Sequence, residues 1–285
     1  MTPLRQQMIE AMQQRGFSER THESYLRAVR ELARYYGRSP SQLGSAEIQT
    51  FFKHLAVERR LSSSSCRVYL HGIRFLYLNV LHRDEFETPV AVPKREQKIP
   101  ELLTRSEVGR LIGAIENPKH RMLMMVCYGC GLRVSELVSV RVRHIDGERK
   151  LLRVEQGKGA KDRLVTLSPS LLDALRQYWN VFRPRDWLFP NSQRPDKPID
   201  VTTAQRVFQA AKRKSGITKE GGIHSLRHAY ATHQLESGLP VHQLQRLLGH
   251  GNLQSTMRYI HWVPGMGGGT GRDADLIEGL GVRHG

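Results

Sequence analysis

Cysteine, acidic residues and long apolar runs are all scarce in this chain of 285 residues. Three cysteines cannot build a disulfide framework, which favours a reducing compartment. The pair Cys127 and Cys130 has CxxC spacing but no second CxxC and no paired histidines, which excludes the usual tetrahedral zinc pattern. We interpret both as small buried residues. With no apolar run near the ~18 residues of a span, we expect no membrane segment and a cytoplasmic or nucleoid-associated protein.

The shortage of acid leaves the chain strongly basic. Against 27 Asp and Glu stand 44 Lys and Arg, giving a net charge of +17 and a pI near 10.2. A field of this sign attracts polyanions. Neither an amphipathic anchor nor a lipidation motif supports a membrane surface as the target. Nucleic acid is therefore the expected partner.

The first 88 residues have an all-helical pattern. Tyr25, Val29, Leu32 and Tyr36 recur at helical spacing, and Gly37 ends that helix. Further helices are predicted after Ser45 and after the serine run 62–65, both of which we interpret as caps. Cations lie between the apolar stripes, and in so basic a chain we expect several to contact DNA. These are Arg27, Arg30, Lys53, Arg67 and Arg74.

A change of composition marks a second domain. Pro89, Pro93 and Pro100 bracket an extended basic tether whose Lys94 and Arg95 are also predicted DNA contacts. A capping box over 104–107 then opens a new helix. The predicted organisation is a helical domain (1–88), a linker (89–100), a second domain (101–264) and a flexible glycine-rich tail (265–285).

The second domain combines helices with a small antiparallel sheet. Short β-type runs at 151–155 and 163–167 flank a glycine-bearing hairpin loop. Helices are predicted at about 169–181, 201–214, 225–237 and 240–248. The fold class is therefore mainly α with a small β-sheet.

The chemistry concentrates in a set of cations around one tyrosine. His224 and Arg227 share one box, His250 and Tyr259 follow, and Arg133 lies upstream. Metal-free attack on a phosphodiester needs cations for the phosphate oxygens, a nucleophile and an acid for the leaving oxygen. Paired arginines suit the first task because the guanidinium binds two phosphate oxygens at once.

Tyr259 is the candidate nucleophile and Lys158 the candidate acid. Neighbouring cations are expected to favour the phenolate of Tyr259, and Lys158 lies on the hairpin loop within reach of a leaving 5′ oxygen. Lys161, from the same loop, competes with Lys158 and is a further predicted DNA contact. Tyr178 and Tyr230 compete with Tyr259.

Each assignment has a plainer alternative. Arg133 alone is a candidate ion-pair partner of Glu136. We interpret His228 and His233 as ordinary helix residues, because the glutamate of an HExxH metal motif is absent. The functional interpretation depends on the ordered set rather than on any single member.

The set resembles that of the tyrosine recombinases, or phage-type integrases, especially the Xer-like and integron-integrase-like branches. The resemblance covers nearly the whole chain. It is carried by 17–25 and by boxes at 131–137, 157–163, 224–228, 247–250 and 257–259. Matched box by box, it implies the catalytic set Arg133, Lys158, His224, Arg227, His250 and Tyr259.

The resemblance also implies an architecture and a reaction. A SAM-like core-binding domain and a mixed α/β catalytic domain would form a C-shaped clamp on double-stranded DNA. Tyr259 would form a 3′-phosphotyrosine without metal, ATP or another cofactor, and strand exchange would proceed through a Holliday junction. A homo-tetramer would act on paired inverted half-sites, with the tail docking in a neighbouring protomer. The sequence leaves open whether an accessory protein controls direction.

Two other functions remain open from the residues. One is a DNA-binding regulator that has lost catalysis, against which the complete six-residue set argues. The other is a type IB topoisomerase-like enzyme that relaxes supercoils from a single protomer. The two-domain organisation and the tail favour recombination.

Overall fold

The computed structural model describes residues 2–84, 100–155, 162–260, 262, 275–278 and 280. The chain divides into two compact units, Met1–Lys98 and Ile99–Gly285. Both are mainly helical, and the second also contains a small antiparallel sheet. The predicted fold class is thereby confirmed.

In its described residues, 2–84, the first unit has four α-helices and two short irregular turns. The helices are α1 (Pro3–Gln14), α2 (Glu19–Tyr36), α3 (Ser45–Lys53) and α4 (Ser63–Asn79), with a 3-10 turn at Pro40–Gln42 and a π-helical turn at His54–Glu58. Helix α2 packs against α4. Leu32, Phe51 and Ile73 are fully buried between the helices, which shows that the predicted apolar stripes form the core.

Local signals fix most of these helix ends. Helix α2 ends where Gly37 takes a left-handed conformation (φ 64°), as predicted. The Ser62 hydroxyl accepts from the Ser65 amide and so caps α4. The predicted cap at Ser45 is wrong: Ser45 is the first residue of α3 and Gly44 holds the cap position. There the Glu47 carboxylate accepts from the Gly44 amide, and a glycine cap suffices.

The second unit packs helices around a three-stranded sheet. Its helices are α5 (Arg105–Gly113), α6 (Pro118–Gly129), α7 (Val134–Val138), α8 (Pro169–Phe182), α9 (Val201–Lys214), α10 (His224–Glu236), α11 (Val241–Leu248) and α12 (Gln254–Ile260). The strands β1 (Ile145–Asp146), β2 (Leu151–Val154) and β3 (Arg163–Thr166) lie in the order β1-β2-β3, all antiparallel. Leu152 pairs with Val165, and both are buried.

Helix α6 lies at the centre of this unit. Every residue from Met122 to Tyr128 is buried, because α6 is surrounded by α5, α7, α8, α9 and α10. Cys127 and Cys130 are free and buried, and burial raises the pKa of the Cys127 thiol to about 12. They are packing residues here, as the sequence indicates.

The described part of the tail packs against the rest of the second unit. Leu276 and Ile277 are buried, and the Asp275 carboxylate accepts from the Ser170 amide at the start of α8. The Leu280 carbonyl approaches Gly109 so closely that an added Cβ there would lie 2.8 Å from it. These residues contact their own chain, and the predicted docking of the tail in a neighbouring protomer stays a prediction.

Candidate active site

Helix α10 supplies the centre of the site. His224, Arg227 and His228 lie three and four residues apart, so all three project from one side of the helix. Arg227 is 4% exposed, while His224 is exposed. A guanidinium this deeply buried needs several acceptors, and the fold provides them.

Two carbonyl oxygens hold Arg227 in place. It donates from Nη1 to Gly131 O and from Nη2 to Leu248 O, each at 2.7 Å. Gly131 has φ +57°, and a Cβ there would lie 2.3 Å from the Tyr230 ring. Only glycine therefore lets this turn present its carbonyl to Arg227. Burial and then Arg133 lower the pKa of Arg227 to about 10, so it remains charged at neutral pH.

Glu136 joins the cations of the site. Its carboxylate accepts from Arg133 Nη1 at 2.7 Å and from both Nη1 and Nη2 of Arg163, at 2.9 and 2.7 Å. Arg227 Nη1 lies 3.8 Å away. Burial alone would raise the pKa of Glu136, but the hydrogen bonds from Arg163 and Arg133 lower it to about 2. The pairing of Arg133 with Glu136 holds Arg133 beside Arg227, so it is compatible with a role in phosphate binding.

His250 is fixed as a neutral imidazole. Its Nε2 lies 3.0 Å from Arg227 Nη2, and a guanidinium can only donate, so this nitrogen carries no proton. The proton is on Nδ1, which lies 2.8 Å from Thr256 Oγ1. Burial and the nearby arginines lower the pKa of His250 to about 3. Both ring nitrogens are thus engaged within the protein, and the place of His250 in the catalytic set remains a prediction.

Tyr259 lies buried among aromatic rings. It is 2% exposed, its ring stacks on His250 at 6.3 Å, and Trp262 packs edge-on at 5.1 Å. Burial raises the pKa of its phenol, although Arg227, Arg258 and Arg133 act in the opposite direction. The cations thus favour the phenolate, as expected, but burial outweighs them and the phenol keeps its proton.

The other predicted residues are distributed as follows. His224 begins α10, and partial loss of hydration, followed by the charge of Arg227, lowers its pKa. Lys158, Lys161, Lys94 and Arg95 lie outside the described residues. The remaining predicted DNA contacts all belong to the helices of the first unit. Arg27, Arg30, Lys53 and Arg67 are exposed, and Arg74 is half-buried.

The predicted contact Arg27 already has a protein partner. Its Nε donates to Glu31 at 3.3 Å, and Arg59 and Tyr69 bind the same carboxylate. Arg30, in contrast, forms no ion pair with any residue that the structure describes. Arg30 is therefore the better candidate for a DNA phosphate.

Sequence reasoning missed two residues at the nucleophile. His228 Nδ1 lies 3.0 Å from Tyr259 Oη, and Trp262 packs on both rings. The sequence places His228 one helical turn after His224, but that spacing was weighed only for metal binding and was not connected with Tyr259. That spacing was the available signal. The rival tyrosines are excluded from this position, since Tyr178 donates to Leu188 O and Tyr230 packs on Gly131.

Both units match models of known protein families. The model described as "Phage integrase family" matches residues 101–264, and that of a phage integrase N-terminal SAM-like domain matches residues 4–85. The chain belongs to the phage integrase family. Its relatives and structural neighbours are tyrosine recombinases and integrases.

Individual relatives match over most of the chain. A Sinorhizobium fredii protein named as an integrase/recombinase is 43% identical over 261 residues, covering 91% of this chain and 84% of its own. A tyrosine recombinase of Thermosipho africanus is 33% identical over 264 residues (87% and 90%). The crystal structure of a lambda integrase dimer bound to a core site shares the fold, with a TM-score of 0.72 at 19% identity over 88% of this chain and 95% of that one.

Neither a membrane-spanning helix nor a metal-binding cluster occurs among the described residues. Within the ranges that the structure describes, no helix has the length and apolar content to cross a membrane. In those same ranges, no three His, Cys, Asp or Glu side chains are grouped so as to hold a metal ion.

Proposed function

We propose that this integrase cuts and rejoins double-stranded DNA at specific sites through a covalent 3′-phosphotyrosine on Tyr259. The observation that carries the proposal is the placement of Tyr259 Oη and two arginines around one buried centre. Arg227 lies 3.0 Å from the imidazole of His250, whose ring stacks on Tyr259, and shares Glu136 with Arg133. A phosphate placed there meets two guanidinium groups beside a nucleophile.

Chemistry supports a catalytic role for each residue of the set, and this geometry adds support for those that the structure describes. Arg133 and Arg227 bind the nonbridging oxygens and neutralise the charge that grows in the transition state. His224, exposed at the mouth of the site, donates to the same phosphate. Lys158 protonates the leaving 5′ oxygen. Bond energy is kept in the phosphotyrosine, so rejoining needs neither a nucleotide nor a metal.

The DNA partner and the assembly belong to the same proposal. The net charge of +17 and the exposed Arg30, Lys53 and Arg67 support binding of a polyanion. The lambda integrase neighbour is titled as a dimer bound to core-site DNA. For this chain we infer a homo-tetramer acting on two sites, each with paired inverted half-sites, in the bacterial cytosol.

Trapping the intermediate tests the nucleophile. The chain is incubated with a suicide duplex, nicked beside the scissile phosphate so that the freed fragment diffuses away. An SDS-resistant protein–DNA adduct is expected, and Tyr259→Phe should abolish it. The matched control is Tyr178→Phe, which removes another buried tyrosine hydroxyl and its 3.1 Å hydrogen bond but should keep the adduct. An adduct that persists in Tyr259→Phe would refute the assignment.

The products distinguish the rival functions. Two duplexes of different length, each carrying the site, should yield recombinant joints of predictable size. Relaxation of a supercoiled plasmid without such joints would favour a topoisomerase-like enzyme. Site binding without an adduct would indicate a regulator.

A further inference from the structure

The hydroxyl of Tyr259 has a hydrogen-bond partner outside the six-residue set. His228 Nδ1 lies 3.0 Å from Tyr259 Oη, and the two rings are 5.7 Å apart. Helix α10 places this imidazole directly beside Arg227, and Trp262 packs edge-on against it at 5.8 Å. The contact is therefore held by α10, by α12 and by Trp262, two residues beyond the end of α12.

The nucleophile needs a proton acceptor. Burial raises the pKa of the Tyr259 phenol, so at neutral pH the hydroxyl carries a proton that must leave when the oxygen attacks phosphorus. Of the neighbouring imidazoles, His250 has both nitrogens engaged, by Arg227 and Thr256. His228 offers its Nδ1 directly to the reacting oxygen.

We propose that His228 is a catalytic residue, the general base that takes the Tyr259 proton during strand cleavage; this rests on the proposed function. The Tyr259 Oη–phosphorus bond forms, the bond from phosphorus to the 5′ oxygen breaks, and the phenolic proton moves to His228 Nδ1. The leaving 5′ oxygen takes its proton from Lys158. During rejoining, the 5′ hydroxyl attacks phosphorus and its proton passes to the neutral Lys158, while the phosphorus–Tyr259 Oη bond breaks and His228 returns its proton to Tyr259.

The charges around His228 fit this role. From α10 it faces His224 and Arg227, and from α12 it faces Arg258 and Tyr259. Burial, followed by His224 and the two arginines, lowers the pKa of His228 to about 4, so the imidazole is neutral and able to accept. A bound phosphate brings negative charge into this ring of cations and raises the pKa of His228. The base thus becomes stronger when the substrate arrives.

The test is a substitution that removes the proton acceptor at position 228 but keeps a side chain of similar shape. In His228→Asn, an amide atom occupies the position of Nδ1 and can accept a hydrogen bond, but it cannot take a proton. General bases typically contribute 10²–10⁴-fold, so adduct formation on the suicide duplex should slow by at least about 100-fold. Without a base only ionised phenol attacks, so the remaining rate should rise about tenfold per pH unit. Wild type should instead level off above the pKa of His228.

Helix α10 provides a matched control. His233 Nδ1 lies 2.8 Å from Tyr128 Oη, and burial lowers the pKa of His233 to about 4, so the pair reproduces the His228–Tyr259 contact away from the site. His233→Asn should leave the rate of adduct formation and its pH profile within about threefold of wild type. Thermal unfolding and site binding of both variants establish that each is folded.

A tyrosine analogue with a more acidic phenol should restore activity to the His228→Asn variant. Ring-fluorinated tyrosine at position 259 ionises without help, so it should restore at least about tenfold of the lost rate in His228→Asn. Absence of rescue, or a His228→Asn rate within threefold of wild type, would overturn the proposal. The proposed function fails separately, if wild type forms no adduct or Tyr259→Phe retains one.

A measurement on the unaltered chain covers the case in which His228→Asn does not fold. Nitrogen-15 NMR of labelled histidine should show Nδ1 of His228 unprotonated and Nε2 protonated, since a base must present a lone pair to the hydroxyl. A proton on Nδ1 would make His228 a donor to Tyr259 and would overturn the proposal.

Discussion

Single residues decide how the cations of the site are held together, and Glu136 is central among them. This 8%-exposed carboxylate binds Arg163 through two nitrogens and Arg133 through one. The same carboxylate accepts a hydrogen bond from the backbone amide of Arg133 and so caps the start of α7. Glu136 therefore couples the strand β3, the helix α7 and the arginines that we assign to phosphate binding.

The pKa of Glu136 leads to a prediction about how the stability of the fold depends on pH. Its arginine partners hold its pKa at about 2, below the ordinary 4.5, so the ionised form stabilises the fold above pH 4.5 and this stabilisation disappears as the pH falls toward 2. The shift corresponds to about 3 kcal/mol. Glu136→Gln should lower the free energy of unfolding at pH 7 by about that amount, because it leaves buried arginines unpaired. Urea unfolding at pH 7 and at pH 3 measures both effects.

The control for this prediction is an acid in a different environment. Glu116 is exposed and pairs with Lys214 on the surface. Glu116→Gln should leave the unfolding free energy and its pH dependence as in wild type. An equal loss in both variants would mean that net charge, rather than the buried cluster, sets the stability.

At the scale of elements, the described tail residues behave as a docked segment. An added Cβ at Gly129 would lie 3.2 Å from Ile277, which shows how closely the segment approaches α6. Ile277→Ala should destabilise the chain by about 2–4 kcal/mol, because it opens a cavity against α6 and α8. Glu278→Ala, at an exposed neighbour, should change little. Thermal unfolding followed by circular dichroism measures both.

Dilution distinguishes docking within the chain from docking between chains. Contacts within one chain predict that the cost of Ile277→Ala stays constant over a hundredfold range of protein concentration. A cost that vanishes on dilution would place the segment on a neighbouring protomer, as the resemblance to the family implies.

Comparison of the helices and strands with the sequence shows which elements the apolar periodicity predicts. Helix α9 has the predicted bounds, and α10 begins one residue before the predicted position, since both have long regular apolar stripes. The short elements α7, α12 and β1 were missed because fewer than eight residues give no full apolar pattern. The spacing of the motifs predicted that Arg133, Arg227 and His250 belong to one site. It did not predict that Tyr259 keeps its proton, because that depends on burial. That burial depends on tertiary packing, since His228, 31 residues earlier in the chain, lies against the Tyr259 ring.

At the scale of the whole molecule, charge dominates. A net charge of +17 means that any binding to DNA releases counterions, so affinity falls steeply with salt. This term is independent of sequence and draws the chain to any duplex. To distinguish a direct contact with DNA from the effect of the overall positive charge, we compare variants that have lost the same charge at different positions.

Arg30 and Arg176 form such a pair. Arg30 is exposed on α2 and has no ion-pair partner among the described residues, whereas Arg176 is exposed on α8 beside Asp173. Arg30→Ala should reduce the slope of log affinity against log salt by about 1, the change expected for one lost phosphate contact. Arg176→Ala removes the same charge and should leave the slope unchanged. Fluorescence anisotropy of a labelled site duplex, titrated at several salt concentrations, gives both slopes. Equal reductions would show that the field of the whole chain, and not a contact at α2, binds the duplex.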